Sequence, residues 1–210
     1  MTRIKLCGIT RRKDIEVINL IKPDYIGLVF APASRRYVED EAAVMLKKQL
    51  DPSVKTVGVF VDETPARVAE LLNKGIIELA QLHGNENEAY IHKLRALTDK
   101  PVIKAFRIKT GEDLLKTRDC SADHILLDAG AGDGTVFDWD LLSGYDRPYF
   151  LAGGLDPSNV KEAVNRLHPF AVDVSSGIET DRVKDPIKMR EFCDTVRGFM
   201  YQITSVESRE

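Results

Sequence analysis

Short apolar runs and amphipathic stretches alternate along the whole chain. The runs lie at 3–7, 25–30, 54–60, 78–82, 102–106, 124–128, 149–152 and 171–174. Each has about the length of a buried strand, and several are apolar almost throughout, as parallel strands covered on both faces are. The stretches between them carry helix start and stop signals. Thr64-Pro65 reads as an N-cap with Pro at the first helical position; Val68, Leu71 and Leu72 then share a face, and Gly75 marks the exit. Asp156-Pro157 opens a helix with Val160, Ala163, Val164 and Leu167 on one stripe, closed by His168-Pro169. Asp185-Pro186 opens the last, striped by Met189, Phe192, Val196 and Phe199. These stripes are read as packing against a sheet.

Eight strand–helix units in 210 residues take about 26 residues each. Sequential parallel strands need right-handed crossovers, and eight of them can close into a barrel. An open doubly wound sheet competes, but Gly-x-Gly-x-x-Gly is expected after its first strand, where this chain has Cys7-Gly8-Ile9-Thr10. The predicted fold is therefore α/β: a single-domain (β/α)8, or TIM, barrel of near-minimal length. It spans residues 1–210, with 204–210 a frayed polar tail.

Composition narrows the function classes. Thirty Lys+Arg against 33 Asp+Glu give a net charge of −3, which argues against a chain built to coat nucleic acid or an anionic membrane. With 43% hydrophobic and 30% charged residues the chain is globular. No apolar run is long enough to span a bilayer, and the N-terminus lacks the apolar core of a signal peptide. Cys7, Cys120 and Cys193 are odd in number and widely spaced, so neither a disulfide framework nor a metal site is expected, and the expected compartment is the cytoplasm.

In such a barrel the chemistry sits where strands end. Strand one ends at Cys7, strand two runs into Ser34-Arg35-Arg36-Tyr37, and strand four gives Gln81-Leu82-His83-Gly84. Strand six ends at Asp128, strand seven at Gly153-Gly154, and strand eight runs through Asp173 into Ser175-Ser176-Gly177. A thiol, an arginine, a histidine, a carboxylate and two glycine-rich turns thus fall on one rim. Gly153 and Gly154 let a ligand approach the backbone, while Ser175, Ser176 and Gly177 supply hydroxyls and N–H groups at a short helix start. Barrels commonly hold a substrate phosphate after strands seven and eight, so these five residues form the expected phosphate site.

The ordered set Lys5-Leu6-Cys7-Gly8-Ile9-Thr10, Ser34-Arg35-Arg36-Tyr37, Val57-Gly58-Val59-Phe60, Gln81-Leu82-His83-Gly84, Leu127-Asp128, Phe137-Asp138-Trp139, Ala152-Gly153-Gly154-Leu155 and Val172-Asp173-Val174-Ser175-Ser176-Gly177 resembles the phosphoribosylanthranilate isomerase family. The resemblance runs from about residue 3 to residue 199. It departs from the family pattern in the loop 129–135, which is short and carries Asp133, and at 180–184, which lacks a Gly before Lys184-Asp185. The resemblance implies a step of tryptophan biosynthesis, the Amadori rearrangement of N-(5-phosphoribosyl)anthranilate to 1-(2-carboxyphenylamino)-1-deoxyribulose 5-phosphate, without a cofactor. It also implies a small-molecule substrate as the partner and a monomer or homodimer.

By the same resemblance Cys7 is the general base and Asp128 the general acid. A thiol has an ordinary pKa of roughly 8.5, so a base fraction at neutral pH calls for help, and Lys5, two residues earlier on the same face, is placed to favour the thiolate. Asp128 needs burial or an anionic neighbour to hold its proton. Arg36 matches the anthranilate carboxylate, with Arg35 facing outward. His83 either lines the site or holds a loop, and Asp173 either takes a ribose hydroxyl or pairs with Lys5. Two other readings stand beside the isomerase. One is a related phosphate-binding barrel enzyme, such as an indole-glycerol-phosphate synthase or a pentose-phosphate epimerase; the other is a non-catalytic phospho-ligand-binding barrel.

Overall fold

Eight parallel strands close a barrel in chain order: β1 (Arg3–Cys7), β2 (Tyr25–Val29), β3 (Lys55–Phe60), β4 (Leu79–Leu82), β5 (Val102–Arg107), β6 (His124–Asp128), β7 (Tyr149–Ala152) and β8 (Ala171–Val174). The computed structural model describes residues 1–128, 139–142 and 144–207, with side chains as far as 198. β8 returns to β1 with Lys5 opposite Asp173, and Cys7 on β1 lies opposite Gly27 on β2. Asp128, the last residue of β6, lies opposite Ala152 of β7. These registers bring the predicted strand-end residues to one rim.

Two cores hold the barrel. Inside it, Tyr25, Val57, Leu79, Ile103, Leu126 and Phe150 fill a layer, topped by the buried polar side chains Lys5, Gln81 and Asp173. The larger core lies between the outward strand faces and the helices. That double covering is why β2 is buried at all five positions and reads as an unbroken apolar run.

The helices are α1 (Arg12–Ile21), α2 (Asp40–Gln49), α3 (Pro65–Asn73), α4 (Glu88–Arg95), α5 (Gly111–Leu115), α6 (Val160–Leu167) and α7 (Pro186–Glu207). Thr64 caps α3 by accepting from the Arg67 N–H, and Gly75 leaves it at φ +68°. α6 begins later than its sequence signal: Asp156 Oδ1 accepts from the N–H groups of Ser158 and Asn159, which holds those residues in a turn before the helix starts. His168 closes α6 in the left-handed region, φ 44°. Asp185 Oδ1 accepts from the Ile187 N–H and opens α7, where Met189, Phe192 and Val196 are fully buried; the Phe199 side chain falls outside the described residues. The backbone of α7 runs to Glu207, through the first part of the expected tail, and 208–210 lie outside the described residues. No described helix is long and apolar enough to cross a membrane.

The even repeat is broken in the second half. α5 has five residues, and a 3-10 turn (Trp139–Leu142) is the described helical segment between β6 and β7. The loop that departs from the family pattern, 129–135, lies outside the described residues. After β8 comes a hairpin the sequence reading did not predict: β9 (Glu179–Thr180) pairs antiparallel with β10 (Val183–Lys184). Its two turn residues, Asp181 and Arg182, both take positive φ, 51° and 65°, as a tight hairpin of this twist requires.

Candidate active site

A cavity of about 360 Å³ opens at the carboxyl ends of the strands. Cys7, Arg36, His83, Asp128, Gly153, Gly154, Asp173, Ser175 and Ser176 all line it. Of the ten predicted site residues only Gly177 is not on its wall, and Gly177 has a different task. A Cβ there would sit 1.9 Å from the Leu155 carbonyl oxygen, so this glycine lets the turn after β8 pack against the turn after β7. Gly153 and Gly154 both take positive φ, 95° and 66°, and Asn159 Nδ2 donates to the Gly154 carbonyl at 2.8 Å. Both turns are therefore held from behind.

The β1 side of the cavity is buried and tightly bonded. Lys5 is fully buried and its Nζ donates to Asp173 Oδ1 at 3.0 Å, so Asp173 takes the pairing role with Lys5 while still lining the cavity. Cys7 has room because its neighbour on β2 is Gly27; a Cβ there would lie 2.6 Å from the Cys7 Sγ. Burial pushes the Cys7 thiol above its ordinary range; Lys5 pulls it down by charge and hydrogen bond, Asp173 pushes it up again, and Lys184 opposes. Lys5 thus acts in the expected sense, but the expected net result is reversed. Its charge is already shared with Asp173, and desolvation of the thiolate outweighs what remains. Lys5 itself is raised: burial works against its charge, but Asp173 and then Cys7 more than compensate.

On the opposite side the facing side chains are more exposed. His83 Nε2 lies 3.4 Å from Asp128 Oδ2, and both side chains are partly exposed. Gln81, 1% exposed, has its Nε2 2.9 Å from His83 Nδ1. The loop after β4 is fixed underneath: Lys104 Nζ donates to the Gly84 carbonyl and to Glu86, whose carboxylate also accepts from the Gly84 and Asp62 N–H groups. His83 therefore both lines the site and sits on a braced loop.

Arg36 lies across Gly8, whose φ is +79° and where a Cβ would meet the Arg36 Cδ at 2.3 Å. Its guanidinium forks onto Glu179, Nε to Oε1 at 2.7 Å and Nη2 to Oε2 at 2.9 Å. Arg35 reaches the same carboxylate from the more exposed side, and Lys184 Nζ donates to Oε1 at 2.8 Å. Glu179 is pushed down to about 2: burial alone would raise it, but hydrogen bonds from Arg36, Lys184 and Arg35 prevail. Lys184 moves down as well, because burial outweighs its share of a carboxylate held by two arginines. Lys184 also donates to the Ser175 carbonyl at 2.8 Å and so ties the hairpin to the turn after β8.

Gln81, Gly27, Glu179 and Lys184 are the site residues that sequence reasoning missed. A lone amide inside an apolar run, and opposite charges flanking a two-residue turn, are the signals that point to Gln81 and to the Glu179–Lys184 pair.

The model of the N-(5'-phosphoribosyl)anthranilate (PRA) isomerase family matches residues 4–195. The chain belongs to that family. Among curated relatives, the N-(5'-phosphoribosyl)anthranilate isomerase of Acetivibrio thermocellus is 45% identical, covering 94% of this chain and 96% of its own length. The enzyme of the same name from Endomicrobium trichonymphae is 42% identical, over 94% of this chain and all of its own. Phosphoribosyl anthranilate isomerase from Thermotoga maritima superposes with a TM-score of 0.88 at 35% identity, over 94% of this chain and 100% of that one. A further phosphoribosyl anthranilate isomerase structure, TM-score 0.85 at 35% identity, holds reduced 1-(o-carboxyphenylamino)-1-deoxyribulose 5-phosphate. With the closed eight-stranded barrel, these likenesses identify the chain as a phosphoribosylanthranilate isomerase of tryptophan biosynthesis.

Proposed function

We propose that this isomerase works by proton transfer between two fixed groups, Asp128 as general acid and Cys7 as general base, on a substrate held at both ends. Asp128 protonates the ribose ring oxygen as the C1′–O bond breaks and the nitrogen lone pair forms C1′=N, leaving a protonated imine. Cys7, as thiolate, removes the C2′ proton to give an enamine. The enol then gives its hydroxyl proton to the Asp128 carboxylate as C1′ takes one from the Cys7 thiol, forming the ketone and restoring both groups. Atoms and electrons balance, since oxidation at C2′ is matched by reduction at C1′.

The observation that carries this reading is that one cavity is lined by a thiol from β1, a carboxylate from β6 and the two bent turns after β7 and β8. The turns receive the phosphate through backbone N–H groups, which are fixed dipoles. Arg36 receives the anthranilate carboxylate on the guanidinium edge that Glu179 does not occupy. Because the Cys7 thiol is raised, the resting enzyme at neutral pH holds it protonated, and activity rises as the pH approaches the thiol pKa. Three free, buried cysteines fit a reducing cytoplasm. A Thermotoga maritima relative is described as dimeric, and this chain is a monomer or homodimer.

The test is direct. Phosphoribosylanthranilate generated in situ loses its fluorescence when the protein is added, and the product is the deoxyribulose phosphate. A substrate signal that decays no faster than in buffer contradicts the activity.

A further inference from the structure

Gln81 is costly where it stands. It caps the apolar layer inside the barrel, it is 1% exposed, and its Oε1 is buried with no hydrogen-bond partner among the described residues. A buried acceptor left unpaired opposes folding, and an apolar side chain of similar length avoids that cost. The other end of the amide is engaged: Nε2 meets His83 Nδ1 at 2.9 Å, and His83 Nε2 faces Asp128 Oδ2 at 3.4 Å.

With the amide oriented as in the structure its nitrogen donates, so the Nδ1 it meets is an acceptor and bears no proton. A neutral imidazole in that state carries its proton on Nε2, the atom that faces Asp128. We propose that Gln81 is a positioning residue for the isomerisation. It fixes His83 as the Nε2–H tautomer, which makes the ring a donor towards Asp128 Oδ2.

The arrangement suits a general acid in both of its charge states. A protonated Asp128 still accepts on Oδ2, so the ring does not change tautomer during turnover. As the acid proton leaves Asp128, negative charge grows on the carboxylate and the bond from His83 strengthens. An interaction that strengthens along the reaction favours the transition state over the ground state. The 3.4 Å separation is long for a hydrogen bond, as such bonds often are before substrate is bound. This inference rests on Asp128 being the acid, as proposed above.

The test compares Gln81→Met and Gln81→Glu with the wild type by nitrogen-15 NMR of the histidine rings, by thermal unfolding and by steady-state kinetics. In the wild type His83 shows a protonated Nε2 and a bare Nδ1. Gln81→Met gives a mixture of tautomers, a melting temperature equal to or above wild type, and a kcat lower by about 10- to 100-fold at little change in KM. That is the range for removing groups that orient metal ligands, and it sets the scale for a group that orients a histidine. Gln81→Glu, at a pH where the new carboxyl is ionised, can only accept, so it puts a proton on Nδ1, and its kcat is similarly low. A stable but slow Gln81→Met protein is an outcome that a purely structural role does not produce. A wild-type ring protonated on Nδ1, or a Gln81→Met protein with unchanged tautomer and kcat, overturns the proposal. Asp128→Asn separates it from the reading it rests on. Full turnover in that variant removes the acid role, and with it the link from Gln81 to turnover, whereas the His83 spectrum still reports on the Gln81–His83 contact.

Discussion

The two halves of the catalytic rim are built differently. On the β1/β8 half Cys7 is buried beside a buried Lys5–Asp173 pair, with Gly27 shaped to its sulfur. On the β4/β6 half His83 and Asp128 are 32% and 21% exposed and 3.4 Å apart. In the roles proposed above, one half holds the base by packing and buried charge, and the other holds the acid beside His83, which Gln81 contacts in turn. Excluding water raises the basicity of a thiolate, which suits the role proposed for Cys7.

This contrast is most easily broken through stability. Lys5→Met leaves Asp173 buried without its cation and is expected to cost about 3–5 kcal/mol in urea unfolding. The double change Lys5→Met with Asp173→Leu restores most of that stability without restoring turnover. On the other half His83→Asn costs less than about 1 kcal/mol, since a partly exposed pair contributes little. Equal losses on the two halves contradict the comparison.

Recognition of the aromatic acid sharpens it next. Arg36→Ala raises KM by about 10- to 100-fold, the worth of a charged hydrogen bond of roughly 1.5–3 kcal/mol. Arg35→Ala has a much smaller effect, although both arginines hold Glu179. Arg36→Lys recovers part of the loss, because an ammonium lacks the fork. Steady-state kinetics of the three variants decides it.

The smallest effect lies in the acid range. The folded pKa of Glu179, about 2, is below its ordinary 4.5, so between those values the unfolded chain binds the extra proton. The stability from Glu179 is therefore complete above about pH 5 and is lost as pH falls towards about 2. Glu179→Gln flattens that limb of the stability curve; an unchanged limb removes Glu179 as the anchor of the hairpin.

Much of the barrel was legible because its strands are covered on both faces, so each appears as an apolar run whatever its neighbours. The ends of 124–128, 149–152 and 171–174 were readable to the residue. The strand-end residues were legible for a related reason, since a polar or glycine residue closing an apolar run stands out. What escaped depends on contacts far apart in sequence. The Cys7 thiol is raised chiefly by burial, and Asp173 on β8, which also engages Lys5 on β1, adds to it; nothing local to Cys7 reveals either. The late start of α6 comes from the Asp156 side chain choosing a turn over a cap. Gln81 stood in plain view, but its role appears only once His83 and Asp128 are brought beside it.

The claim that organises the site is that Cys7 takes the C2′ proton. Its most direct test is the single-turnover rate of substrate fluorescence decay against pH in the wild type and in Cys7→Ala. The wild-type rate should climb with pH towards a midpoint above the ordinary thiol value of roughly 8.5. Cys7→Ala should be slower by about 10²–10⁴-fold and lack that climb. A Cys7→Ala enzyme with the wild-type rate and the same rise with pH would contradict the account.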